Sequence, residues 1–222
     1  YDRCGEESTF AVSVFRSVGI PARQVYVPLW SHCDDNHAWV EVWSDGTWKF
    51  LGACEPEEVL NKGWFTNASS RAMMVHSRWL LPVRPKEELV GRTGMALVAN
   101  QLKTYAKTTN VEVTVLNADG TPASGAEIRF EVLNYAEFGE IACARTDAKG
   151  KKVLETGFGT LQVTAYKDGA YAEQLVDVAK QHSCILRLGQ TDCQLDVWTE
   201  MIVTAPKDSP VNRCVQSEEE IL

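Results

Sequence analysis

YDRCGEESTFAVSVFRSVG, residues 1–19, decides how the rest of the chain is read, because it sets a cysteine at the mouth of a helix. Phe10, Ala11, Val14, Phe15 and Val18 recur at helical spacing and are expected to form one buried face. Cys4 then falls at or just before the first turn. Gly5 permits a tight backbone there, and Glu6, Glu7, Ser8 and Thr9 are residue types that helix starts favour. A thiol so placed meets unpaired backbone N–H groups and the positive end of the helix dipole, which is how a cysteine nucleophile is built. A solitary cysteine is more often a packing residue, so the chemistry needs a partner elsewhere in the chain.

Gly19-Ile20-Pro21 closes the helix, ARQVYVPLW (22–30) reads as a strand, and SHCDDN (31–36) reads as a loop. In NHAWVEVWSDGTWKFLGACEP (36–56), Ala38, Val40 and Val42 alternate with His37, Trp39, Glu41 and Trp43. That alternation predicts a half-buried strand with His37 at its start. Asp45-Gly46 is a two-residue hairpin turn, and Thr47 to Ala53 is expected to return antiparallel. Counting outward from the turn sets Ser44 against Thr47, Trp43 against Trp48 and His37 against Cys54. Gly52 becomes the diagonal neighbour of His37 on the same face.

RCGE opening a helix, GIPAR leading into a strand, NHAWVEVW and the tryptophan-bearing strand after it together resemble the catalytic core of the transglutaminase-like superfamily. The resemblance covers residues 2–65, and WKFLGACEP is similar in layout to peptide N-glycanases within that superfamily. It implies an α+β fold: a papain-like transglutaminase core, helix packed on antiparallel sheet, followed here by a second, all-β sandwich domain. It also implies that Cys4 attacks an amide carbonyl, that His37 takes its proton, and that an acid on the next strand holds the histidine. Gly52 stands where that acid belongs. Glu55 is the candidate replacement, re-aimed by a bend at Gly52-Ala53; its structural alternative is to cap a helix PEEVLNKG (56–63). Glu41, on the His37 face, is a weaker candidate. Trp39 shares that face and is assigned to a substrate groove.

The implied activity is a cysteine-nucleophile acyl transfer at an amide bond, with hydrolysis of a protein, peptide or glycopeptide substrate preferred and no cofactor. The Cys4 backbone N–H is expected to hold the oxyanion with a second donor. The sequence shows no calcium-ligand loop of the sort that animal cross-linking enzymes use, which favours water over an amine as acceptor. A catalytically silent binding module and a cross-linking transglutaminase are the alternatives. His32, Cys33 and His37 with Cys4 or Cys54 have the ligand types zinc takes, but there is no C-x-x-C pair, so no metal is assigned.

A chain of 222 residues with 45% apolar and 23% charged content has room for one large or two small domains. A net charge of −8 argues against nucleic acid as a partner, and no apolar run is long enough to span a membrane. No signal peptide is read, and a core of this kind normally carries more helix before its cysteine, so an upstream part is expected. Seven cysteines leave Cys143–Cys184 or Cys193–Cys214 bridges and free thiols all open. His76 is expected to be a packed or edge histidine of a strand over 70–83, and PKEELVGRTG (85–94) a connector. ALVANQLKTYAKTTN (96–110) reads as a strand, or a strand and link, which ends the first domain at residue 107.

From 108 to 189 the texture is all-β: short alternating runs separated by turn signals at Ala118-Asp119-Gly120, Ala148-Lys149-Gly150 and Lys167-Asp168-Gly169. DGTPASGAEI and TDAKGKKVLETGFGTLQVTA resemble carboxypeptidase-regulatory-like, prealbumin-type sandwiches, common in bacterial exported and surface proteins. That resemblance implies an extracytoplasmic location, periplasmic or at the cell surface, and a spacer or docking role. Residues 190–222 form a tail, or the start of a further β domain, with one strand-like run at 195–205.

Overall fold

The Arg3 amide donates to the Glu6 carboxylate at 3.0 Å, and this reach-back across one turn starts α1, Cys4–Ser17. The computed structural model describes residues 3–189 and 200–209. The helix is rotated from the expected face. Phe10 is 72% exposed and Val18 69%, with Val14 also exposed, whereas Ser8 and Val12 are buried. Ser8 occupies the close approach because its hydroxyl donates to the Cys4 carbonyl (2.6 Å) and accepts from Gln24 Nε2 (2.7 Å). A small polar residue thus takes the place a larger apolar one was expected to fill. Ala11 and Phe15 join Val12 against Ala22, Val40 and Val42 of the sheet.

The sheet begins with β1, Ala22–Val27, followed by β2, His37–Ser44, and β3, Thr47–Leu51. Asp45 and Gly46 both take positive φ (53° and 78°), and the register sets Ser44 against Thr47 and Trp43 against Trp48, as the turn chemistry predicts. Pairing stops at Val40 with Leu51, so the return strand ends before Gly52. β2 is buried on both faces from His37 to Val42 and is not half-exposed. Helix α1 covers the Val40 face, while Phe50, Phe65 and Tyr105 close over the Trp39 face. β4 (His76–Leu80), β5 (Leu89–Thr93) and β6 (Ala96–Asn100) complete an antiparallel sheet in the order β3-β2-β1-β4-β6-β5.

Three local expectations are overturned. Residues 56–63 form turns instead of a helix, and the short helix α2 lies after them at Phe65–Ser69. The strand expected over 70–83 is confined to β4, because Ala72 to Val75 are fully buried in irregular backbone that feeds two cores at once. The expected connector at 85–94 contains β5.

The rest of the described chain is β-structure: β7 (Thr109–Leu116), β8 (Glu127–Asn134), β9 (Glu137–Arg145), β10 (Lys151–Thr156), β11 (Thr160–Lys167), β12 (Ala170–Asp177) and β13 (Ser183–Arg187). They form a three-stranded sheet, β10-β7-β13, with β13 parallel to β7, and a four-stranded sheet, β12-β11-β8-β9. Both sheets bury one cluster that includes Val113, Phe130, Leu154 and Val163. Met73, Met74, Val90 and Val98 from the first sheet belong to the same cluster, so the two halves share apolar core. At Gly139 the halves approach so closely that a Cβ would lie 2.2 Å from Leu29 Cδ1. Cys143 and Cys184 are free thiols, while Cys193 and Cys214 lie outside the described residues. The described part of the strand-like run, 200–205, forms no strand and is held by a Thr160 N–H to Thr204 carbonyl bond of 2.8 Å.

His76 joins the halves: its Nε2–H donates to the Ile141 carbonyl at 2.7 Å, and burial is the main cause that drives its ring down to about 4. The unfolded chain takes up this proton near the ordinary value of 6.5, whereas the folded chain does not until about 4. Stability is therefore full above pH 6.5 and falls as pH drops through the window from 6.5 to 4. His76→Gln is expected to remove about 2 kcal/mol of the stability difference between pH 7 and pH 5, read from urea midpoints of the two proteins at both pH values.

Candidate active site

Cys4 is the first residue of α1, and its backbone N–H, like those of Gly5 and Glu6, has no acceptor within the helix. Gln24 of β1 fixes this end: its side-chain amide donates to the Gly5 carbonyl at 2.8 Å as well as to Ser8. His37 is the first residue of β2 and points to the opposite face from the helix. Both residues line one cleft of about 750 Å³ around the start of β2, together with Thr9, Phe10, Tyr26, Asn36 and Arg78.

The His37 ring sits in an aromatic nest. Trp64 lies 4.6 Å from it, Phe65 5.0 Å and Trp39 5.9 Å, between ring centroids. Burial lowers its basicity to about 4, against the opposing pull of the Glu55 and Asp35 carboxylates. Nε2 is sealed and has no hydrogen-bond partner, which makes Nδ1 the ring nitrogen available to the cleft. A buried N–H without an acceptor is costlier than a buried bare ring nitrogen, so this environment favours the tautomer protonated at Nδ1 unless an acceptor reaches Nε2.

Gly52 is buried, and a Cβ there would lie 3.0 Å from the Glu55 carbonyl oxygen. The turn that follows β3 thus closes over the position where a longer side chain would stand. Glu55 is exposed, and its carboxylate accepts from Trp64 Nε1 at 3.2 Å, which ties it to the ring that covers His37. Cys54, expected opposite His37, lies instead beside Glu7 of α1; burial first, and then that carboxylate, push its thiol up to about 11.

Glu41 is not near the histidine's free nitrogen. It is buried in a network of its own, bound by Arg23 Nε at 2.6 Å and by the Tyr105 hydroxyl. Tyr105 in turn accepts from Trp39 Nε1 at 2.9 Å, and Arg23 Nη2 donates to Gln101 at 3.2 Å while its guanidinium lies 4.3 Å from the Trp48 ring centroid. Trp39 has no exposed surface. It therefore does not line the cleft, as expected from its face, but stacks beneath His37 and Phe65, where the Tyr105 bond holds it. His32 leans on Trp30 (5.2 Å), and among the described residues no three His, Cys, Asp or Glu side chains converge to hold a metal.

The loop that delivers His37 is held by the second half of the chain. Asn134, at the end of β8, donates from Nδ2 to the carbonyls of Trp30 (3.0 Å), Cys33 (3.1 Å) and Asp35 (3.1 Å), and the Tyr135 N–H donates to Asp34 at 2.6 Å. The hairpin beyond it turns on Tyr135 and Ala136, both at positive φ (50° and 60°), where Asn-Gly would be usual. These contacts hold that uncommon turn in place. Nothing in LNYAEF signals a turn by composition, so sequence reading missed the brace; a lone asparagine closing an apolar strand run was the single cue.

No curated protein matches the chain. Residues 3–53, which contain Cys4, His37 and the β2–β3 hairpin, match the family model described as the transglutaminase-like superfamily.

Proposed function

We propose that the chain catalyses acyl transfer at an amide bond with Cys4 as nucleophile and His37 as base, on a papain-like core followed by a prealbumin-type sandwich. The single observation that carries this reading is the convergence of Cys4 and His37 on one open cleft, within the segment that matches the family model. With Glu55 accepting from Nε2–H, Nδ1 of His37 is the bare nitrogen and takes the proton of the Cys4 thiol as sulfur attacks the carbonyl carbon. The tetrahedral oxyanion is held by the free N–H groups of the helix start. The C–N bond then breaks, the leaving amine takes the proton from His37, and a thioester to Cys4 remains. Water attacks the thioester, giving a proton to His37 that returns to the departing thiol.

Glu55 is the acid we assign to Nε2. Its carboxylate pulls against the effect of burial on the ring, and it is bonded to Trp64, the indole packed on His37. An extracytoplasmic setting and a peptide or glycopeptide substrate belong to the same proposal. The second reading, a silent binding module, is favoured by one observation, the orphaned Nε2. Iodoacetamide at neutral pH separates the two. The active reading expects Cys4 to be alkylated faster than exposed Cys33, as resolved by peptide mapping, with the advantage lost in His37→Ala. Equal rates at both thiols support the silent module.

A further inference from the structure

The cleft holding Cys4 and His37 does not end at its own rim. Tyr26, Pro28 and Arg78 line it and also line a second cleft of about 750 Å³ between the two halves of the chain. The walls of the second cleft are β5 and β9. Each is the last strand of its sheet, and the two edges lie against each other where the halves of the chain meet. The floor is fixed by the His76 to Ile141 bond. Two clefts that meet at Tyr26, Pro28 and Arg78 make one elongated path, which suits an extended polypeptide better than a compact small amide.

Charge selects further. The second cleft carries Arg78, Arg92, Arg129 and Arg145 against Glu127 and Glu140, in a chain whose net charge is −8. Glu127 is taken by Arg129 (3.0 Å) and Arg145 (3.3 Å), and Glu140 by Arg129 (3.6 Å). Among the described residues, Arg78 and Arg92 have no carboxylate within 4.0 Å. Arg92 Nε is turned onto the Gly94 carbonyl at 3.0 Å. Arg78 stands at the junction of the two clefts, held by one bond from Nε to the Tyr26 hydroxyl (3.1 Å) and lying 5.0 Å from that ring's centroid. This fixes the guanidinium while leaving its outer fork free for a bidentate anion.

We infer that the two clefts form one groove for an extended polypeptide, and that Arg78 is a specificity residue seating an acidic side chain of that polypeptide beside the amide presented to Cys4. The inference rests on the reading of Cys4 and His37 as the reacting pair, but binding can be measured without chemistry. The probe is a fluorescein-labelled peptide of about twelve residues with glutamates flanking a central glutamine, compared with its glutamine-for-glutamate counterpart. Both are titrated by fluorescence anisotropy onto the full chain carrying Cys4→Ala.

The acidic peptide is expected to bind about tenfold more tightly than the neutral one, with the advantage shrinking as salt rises. Arg78→Gln is expected to bring the affinities of the two peptides together, and Arg78→Glu to reverse the preference. In the unsubstituted chain the acidic peptide should slow alkylation of Cys4. Equal binding of the two peptides, an undiminished preference in Arg78→Gln, or a single-stranded oligonucleotide competing as well as the acidic peptide would each overturn the inference. An unreactive Cys4 in a chain that still shows the peptide preference would remove the catalytic reading alone.

Discussion

Exchanging His37 for asparagine is expected to slow acylation of Cys4 by about 10²- to 10⁴-fold, the usual worth of a positioned proton acceptor. His37 is the only imidazole among the described residues that line the cleft with Cys4. The pH profile of the unsubstituted protein carries the signature of the ring's surroundings. With its basicity lowered to about 4 by burial among Trp64, Phe65 and Trp39, the free base persists well below the ordinary 6.5. The acid limb of the acylation rate is then expected near pH 4 rather than near 6.5. The loss should appear in the rate of acylation per folded molecule, well beyond the modest lowering of the urea midpoint that follows from shortening a ring packed on Trp64, Phe65 and Trp39. A lowered midpoint with unchanged chemistry would assign His37 to packing.

Glu41→Ala is expected to be the most destabilising single change. Removing it leaves Arg23 buried with its charge uncompensated and its Nη1 already without a partner, and it strips the Tyr105 hydroxyl of its acceptor. Breaking a buried pair from one side costs about 3–5 kcal/mol, which lowers the melting temperature of a domain this size by roughly 10 °C. The charged pair itself is weak evidence of net stability, so Arg23→Met combined with Glu41→Leu should recover most of the loss. The effect should reach the site through Trp39, whose indole depends on Tyr105, and a red shift of tryptophan emission would report it. A Glu41→Ala protein as stable as the parent would mean that water reaches Arg23.

Much of the first half could be read from local chemistry. The helix over Cys4–Ser17, a strand beginning at Ala22, which ends at Val27 before Pro28 and short of the expected Trp30, and the Asp45-Gly46 turn with its register all follow from local signals. The alternating texture that begins at residue 108 likewise located β7, where Val111, Val113 and Val115 are fully buried. What could not be read depends on contacts between distant positions. Periodicity identifies α1 but not which stripe meets the sheet; Ser8 wins that place through Gln24, and Phe10 and Val14 stay outside. Trp39 shares a face with His37, but only the arrival of Phe65 and Tyr105 decides that this face is interior.

Glu41 could have been suspected, since a carboxylate in the middle of a strand otherwise built for burial calls for a cation; Arg23 supplies it from the neighbouring strand. The Asn134 brace spans about a hundred residues, with separations of 99 to 104, and its one local cue is the asparagine that closes an apolar strand run. PEEVLNKG has helix-forming composition, yet Gly63 sits where a Cβ would come within 2.6 Å of Phe65. Tertiary closure over the His37 ring overrides propensity in that segment.

The pairing of Cys4 with His37 is read out by intact-protein and peptide mass spectrometry after brief exposure to p-nitrophenyl acetate, an activated ester that needs no specific substrate groove. One acetyl group is expected on Cys4, formed faster than on any other thiol, absent in Cys4→Ala and strongly reduced in His37→Asn. Acetyl groups spread over Cys33 and the other thiols at rates that His37 does not influence would contradict that pairing.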